Sequence, residues 1–474
     1  MNTYRKQIHD YVYGHRNEII SGLKELIKIP SVRGEKEESA PFGKMCAKVL
    51  EYTKNLYEKE GVETELDENG GYLLSYFGEG EKSVGVFSHA DVVPVADDWI
   101  LTNPFEPIEK DGYVVGRGAL DNKSAVIASL FCLKMFKELN IPLKNRLVLF
   151  TGSNEESGMQ DIKNYLQAHK KPDFSLVPDS AFPLYRGNKG RITFSVKGKK
   201  PLSEGVSING GTGATVIGGA TAVVPFEKAL FDEIQGFCNE RISAERQEEK
   251  IVIKATGIAK HSALPEGSLS AVYLLCNALK QCKLLKQEDK GMFEQISNLA
   301  GYYYGEFFGI ESEDEEFGKL TCVLTKITTD KDGMVTADFN TRYGLSISKD
   351  TVVCNITKRT EEIGWEEPEV AGFTIPQCIP DSHIFVQRLM EAYKNINPRE
   401  GTKSRVNAGG TYRQYLQDGV EIGPTNKFGA AEGLPPGHGG AHQPDECILI
   451  DGYLEAVEIM MNMILECDKV LGDM

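Results

Sequence analysis

No stretch of the chain approaches the ~18 consecutive apolar residues that a membrane-spanning helix needs. No apolar core follows the charged start at residues 1–7 either, so neither a helical membrane protein nor a secretory signal is expected. Basic charge is in deficit: 53 Lys and Arg stand against 69 Asp and Glu, a formal net charge of −16. That balance argues against nucleic-acid or anionic-membrane partners, which call for a basic face. The ten cysteines include no Cys-x-x-Cys pair, which leaves out a zinc knuckle or dithiol redox site. Cys132, Cys276 and Cys354 stand in apolar helical surroundings and read as small core residues, as expected in a reducing cytoplasm. A phosphate loop is missing too. Gly211-x-Gly213 has Val216 in place of the third glycine and no Gly-Lys-Ser/Thr behind it, so 205–219 is expected to be a flexible loop.

What is present is the composition of an ordinary globular protein, 41% hydrophobic and 26% charged over 474 residues, enough for two large domains or three smaller ones. The stretch 84–94 organises the rest. Its apolar run 84–87 has the character of a buried strand and ends in His89 and Asp91, side chains able to bind or orient a metal. Open α/β sheets carry their chemistry at that carboxyl edge.

Other segments deliver acids in the same way. Gly116 and Gly118 permit close backbone approach ahead of Asp121, which precedes a helix expected over 123–138; Asp121 reads equally as the N-cap of that helix. The run 146–151 leads to Glu155 and Glu156. On an irregular backbone one of these can hold a metal while its neighbour faces a water, the alternative being a solvated acidic turn before a helix at 159–168. A further run, 174–177, delivers Asp179 just past Pro178. Capping accounts for each acid singly, but not for a histidine and several acids gathered at one sheet edge. Of the eight histidines, His9, His15, His169 and His383 read as surface or cap residues, and His442, ahead of a long amphipathic C-terminal helix, is the best second imidazole.

The blocks at 88–94, 116–123, 155–158, 178–180 and 441–446 resemble, in order and spacing, the signature set of the M20 metallopeptidases. They are most similar to the PepV-like dipeptidases, including the Xaa-His dipeptidase group, and the resemblance runs essentially end to end. It implies two divalent metal ions, Zn2+ foremost, with Mn2+ or Co2+ fitting the same mixed ligand set. In this resemblance His89 and Asp179 hold one ion, Glu156 and His442 the other, and Asp121 bridges them. Asp91 orients His89, and Glu155 is the general base on a metal-bridged water and then the proton donor to the leaving amine. His261 resembles a lid histidine that stabilises the tetrahedral oxyanion, a surface-loop histidine being the plain alternative. Arg342 resembles an arginine that grips a substrate carboxylate, an ordinary strand-end arginine being the alternative. Gly410 belongs to a glycine-rich turn expected to shape the substrate pocket. Three departures stand out: Arg413-Gln414 is bulkier than the small residues expected there, Gly344 replaces a proline, and His438 is an imidazole without an assigned partner.

The expected fold is therefore α/β: a mixed, mostly parallel sheet with helices on both faces, plus an inserted α+β lid. Residues 1–183 and 385–474 make the catalytic domain and 184–384 the lid, where strand patterns at 192–197, 251–257, 320–328 and 334–343 alternate with helices at 226–240, 268–285, 290–305 and 349–363. A lid this long resembles the doubled lid of the PepV group, which implies a monomer. The expected function is hydrolysis of small peptides. A deacylase or desuccinylase on the same scaffold stays open, as does a non-catalytic binder, although the latter has no use for an uncoordinated base beside two metals.

Overall fold

The computed structural model describes residues 4–416 and 418–474. The chain forms two compact units, Met1–Gly187 with Cys378–Arg405 and Gly410–Met474, and Asn188–Gln377 with Val406–Gly409.

The first unit is built on a sheet whose centre is parallel. Strands Arg146–Gly152, Ser83–His89, Phe174–Pro178 and Gly419–Ile422 lie side by side in that order, all running the same way. Tyr72–Phe77 and then Glu63–Leu66 extend the sheet antiparallel beyond Arg146–Gly152. Central parallel strands are covered on both faces and so read as unbroken apolar runs, as Ser83–His89 does: it is buried from Val84 to its end. Because successive side chains point to opposite faces, neighbouring residues enter different cores. Val86, Leu149 and Leu176 join helices Lys123–Glu138 and Ile450–Asp473 on one face; Phe87, Phe150 and Val177 join Ile162 and Tyr165 of helix Gln160–Ala168 on the other.

Register then fixes where the loops leave. His89 pairs with Gly152 and Pro178 with Ile422, so the segments after these residues emerge from one carboxyl edge. The C-terminal helix Ile450–Asp473 is more deeply set than an amphipathic surface helix, with Glu458, Asn462 and Asp468 among its buried residues. Asp468 accepts from the backbone N–H of Lys144 (3.0 Å) and Asn145 (2.8 Å), amides just ahead of a central strand that need a partner.

The second unit is an eight-stranded antiparallel sheet in the order Ile242–Gln247, Lys250–Thr256, Gly219–Pro225, Ser207–Gly211, Thr321–Thr329, Val335–Tyr343, Gly190–Lys197, Glu369–Thr374. Its core includes residues of helices Ala271–Leu279, Gln287–Ala300 and Lys349–Glu362. Two expectations fail here. The segment 205–219 is not a loop throughout: residues 212–218 form one, but Ser207–Gly211 pairs with Gly219–Pro225, burying Ile208 beside Ala222 and Val224, an alternation that the surrounding glycines hide in the sequence. Gly211 sits at φ +83°, and a Cβ there would overlap the Thr325 carbonyl, so glycine is required by close backbone approach rather than by mobility. Cys354 is exposed on its helix rather than a core residue, while all ten cysteines are free thiols. Among the described residues, no helix is long and apolar enough to cross a membrane.

Candidate metal centre

His89 is the last residue of its strand, and its side chain is 1% exposed. Ring Nδ1 lies 3.0 Å from the Asp91 carbonyl oxygen and 3.5 Å from Asp91 Oδ1. With the Nδ1 proton engaged there, Nε2 is the ring nitrogen left to face Asp121 Oδ1 at 3.1 Å and Asp179 Oδ1 at 3.6 Å, and it makes no well-formed hydrogen bond. A buried nitrogen facing two anions calls for positive charge there, supplied by the imidazole's own proton or by a bound cation. The donor set therefore fits a divalent cation, one nitrogen with carboxylate oxygens.

A second group forms on the other oxygen of the same carboxylate. His442 Nε2 lies 3.1 Å from Asp121 Oδ2 and 3.1 Å from Glu156 Oε1. Within each triad, His89, Asp121 and Asp179 or Asp121, Glu156 and His442, one ligand atom per residue lies within 4.8 Å of the others. Asp121 is common to both. The structure thus brings together His89, Asp121, Glu156, Asp179 and His442, with Glu155 adjoining.

Buried acids hold the loops that carry these residues. Asp91 Oδ1 and Oδ2 accept the backbone N–H of Glu155 and Glu156, at 3.1 Å each, so Asp91 positions the acid pair as well as the His89 ring. Glu446, fully buried, accepts from Gly118, Leu120 and Asp121 N–H at 3.1, 2.9 and 3.0 Å and pairs with Arg117 Nη1 at 2.6 Å. Asn122 accepts from His89 N–H (3.3 Å) and donates to the Pro178 carbonyl (2.7 Å) and Asp179 Oδ1 (3.1 Å), tying three loops together. Asn122 and Glu446 have no role expected from sequence, although their place in the blocks 116–123 and 441–446 is a signal that points to the site. His438, left without a partner there, has one: its Nδ1 lies 2.7 Å from Asp445 Oδ2.

The charges are strongly coupled. Burial opposes a charged His89, but Asp179, Asp121 and Asp91 raise it well above the ordinary imidazole value. Hydrogen bonding to Asp121 and then Glu156 raises His442 to about 11. Asp121 is opposed by burial yet held below the usual carboxylate range by the imidazoles of His442 and His89. Asp179 is pushed up to about 7 by burial and by Asp121. Burial first, then Asp179, pushes Glu155 well up.

The remaining predicted residues are members of neither triad. His261 and Arg342 belong to the second unit. His261 is exposed beside a bridge to Thr215, its Nδ1 3.2 Å from Ala263 N–H. Arg342 is 7% exposed on strand Val335–Tyr343 and donates to Asn340 Oδ1 at 3.0 Å; among the described residues no carboxylate pairs with it, and burial followed by Arg191 lowers it to about 10. Gly410 is an exposed residue of the first unit, two positions before the buried Tyr412.

Comparison with known proteins agrees with this architecture. Two relatives bear the name "Putative dipeptidase": YtjP of Bacillus subtilis, 28% identical over 96% of this chain and 98% of its own, and one from Staphylococcus epidermidis, 27% identical over 96% and 97%. Among solved structures, human carnosine dipeptidase 1 aligns with a TM-score of 0.61 at 16% identity, over 98% of this chain and 99% of its own. The dipeptidase Dug1p of Saccharomyces cerevisiae aligns with a TM-score of 0.61 at 14% identity, over 99% of both chains. These likenesses are of fold. Residues 85–466 match the model of peptidase family M20/M25/M40, and the chain belongs to that family of peptidases.

Proposed function

We propose that the chain is a dinuclear metal-dependent dipeptidase of the PepV-like group, acting as a cytoplasmic monomer on short peptides. The observation that carries this reading is the sharing of Asp121 between two imidazoles, one carboxylate oxygen facing each. His89 and Asp179 would hold one ion and Glu156 and His442 the other, Zn2+ foremost, with Mn2+ or Co2+ suiting the same donors. When bound, the pair supplies Lewis acidity and an activated water.

The chain's own part is proton transfer and orientation. Glu155 takes a proton from water and hands it to the leaving amine. Among the described residues none donates to its carboxylate, its backbone is fixed by Asp91, and burial with Asp179 raises its affinity for a proton. His261 is assigned the oxyanion and Arg342 the substrate carboxylate. That no carboxylate among the described residues pairs with this buried guanidinium supports the second assignment. Gly410 is assigned to the substrate pocket through its turn.

The test is metal content and turnover of dipeptides, N-acetyl amino acids and N-succinyl amino acids, wild type beside Glu155→Ala. The variant is expected to keep its metal and lose at least ~100-fold in kcat. Normal hydrolysis by the variant removes the base, turnover of acyl amino acids alone makes the protein a deacylase, and no turnover of any substrate makes it a binder.

A further inference from the structure

Two buried carboxylates divide four consecutive amides in the loop that carries the acid pair. Asp91 takes the N–H groups of Glu155 and Glu156; Asp161 Oδ2 takes those of Ser153 and Asn154, at 2.8 Å each. The other oxygen of Asp161 accepts Ile162 N–H at 2.8 Å, and the side chain is fully buried. The Tyr412 phenol, 1% exposed, donates to the same oxygen of Asp161 that holds the loop. The Tyr412 ring stands edge-on to His89, centroids 6.3 Å apart and planes at 89°, and edge-on to Phe150 at 5.3 Å.

One side chain therefore touches both arms of the centre. Its ring bears on the imidazole of the first ligand group, and its hydroxyl bears on the anion that ties down the loop of the second. Space for this contact is left by Gly152 at the strand end, where a Cβ would overlap both the Tyr412 hydroxyl and the Asp161 carboxylate. Burying a carboxylate and a phenol together is unfavourable unless each is hydrogen-bonded, and here both are.

We infer that Tyr412 and Asp161 are positioning residues that set the distance between His89 and the Glu155–Glu156 turn, and so the fit of Asp121, Glu156 and His442 for their cation. The inference rests on the dinuclear reading above. It also gives the turn at 409–412 a task from behind the site. Because Asp91 keeps its own two amides, removing the Tyr412 hydroxyl loosens the loop without releasing it. The expected penalty is that of an outer hydrogen bond to a metal site, about 10- to 100-fold in affinity.

The experiment is Co2+ titration of the full chain against a chelator, followed by the visible absorption band, with dipeptide kinetics on the same samples. Wild type, Tyr412→Phe, Asp161→Asn and Asp161→Ala are compared. Wild type takes two equivalents. Tyr412→Phe folds, binds one equivalent about 10-fold or more weakly with a changed band, and loses kcat at unchanged KM. Asp161→Asn, which keeps an acceptor for the loop, is milder than Asp161→Ala. Should Asp161→Ala not fold, Tyr412→Phe and Asp161→Asn decide together. Wild-type affinity, band and kcat in both Tyr412→Phe and Asp161→Asn overturn the inference. A wild type that takes only one equivalent instead withdraws the dinuclear reading, and the inference with it.

Discussion

The two candidate ligand groups share Asp121 and differ in almost everything else. His89 ends a buried strand, its side chain 1% exposed and its far nitrogen held by the Asp91 carbonyl. His442 is 54% exposed and stands in a loop at φ +64°, left-handed backbone that a non-glycine residue adopts at some cost. One group is thus part of the sheet, and its geometry is set when the core folds. The other is assembled from a loop and depends on whatever holds that loop in place. The difference predicts one ion that is hard to remove and one that exchanges readily.

The change with the largest expected effect removes the feature the groups have in common. Asp121→Ala deprives both of a ligand, so both equivalents of metal should be lost and kcat should fall by more than about 1000-fold, in keeping with the charge stabilisation a metal pair supplies. Retention of one tightly held ion by this variant, measured by elemental analysis after dialysis, would show that the carboxylate is not shared.

Separating the histidines comes next. His442→Ala should keep one equivalent and melt nearly as wild type does, since a half-exposed ion pair is worth about 0–1 kcal/mol. His89→Ala should lose the tight equivalent and about 3 kcal/mol of stability in the metal-free protein, because Asp121 and Asp179 are left facing each other without their buried positive partner. Equal melting temperatures for the two variants would erase the contrast drawn above.

The smallest expected effect is on pH dependence. In the metal-free protein a raised pKa means the group binds a proton that metal must displace, so affinity falls as pH falls. Both groups lose the proton of a raised imidazole, His442 at about 11 and His89 well above the ordinary value. Each group also carries a raised carboxylate: Glu156, pushed up by burial and then by Asp121, in the His442 group, and Asp179, which takes up a second proton as pH drops through about 7, in the His89 group. Its affinity should decline about tenfold per pH unit above that point and about 100-fold per unit below it. Calorimetry in buffers of different ionisation enthalpy reads the protons released; a slope that does not steepen on the acid side would reassign the burden to Glu156.

What was legible in the sequence was whatever chemistry sits beside its own structural signal. His89, Glu155, Glu156 and Asp179 each follow an apolar run, so strand and ligand are read in one window, and parallel packing then carries them to one edge. The braces were not legible. Glu446 grips a loop more than 320 residues earlier, and Asp161 meets Tyr412 at a separation of 251, contacts without a local pattern. Asp161 reads in isolation as a first-turn acid suited to the helix dipole. In the second unit the strand Ser207–Gly211 was hidden by the glycines that let it pair closely, and Cys354 was misplaced because an apolar neighbourhood in sequence does not say which side of a helix faces out.

Asp468 has a bearing on how the protein can be handled. It stoppers the sheet at the end opposite the His89 edge, taking two amides and, at 3.0 Å, the carboxamide of Asn145. A chain trimmed ahead of that position would leave those donors without their acceptor at the head of the central strand. Affinity handles therefore belong beyond Asp468, joined so that the helix through that residue is left whole.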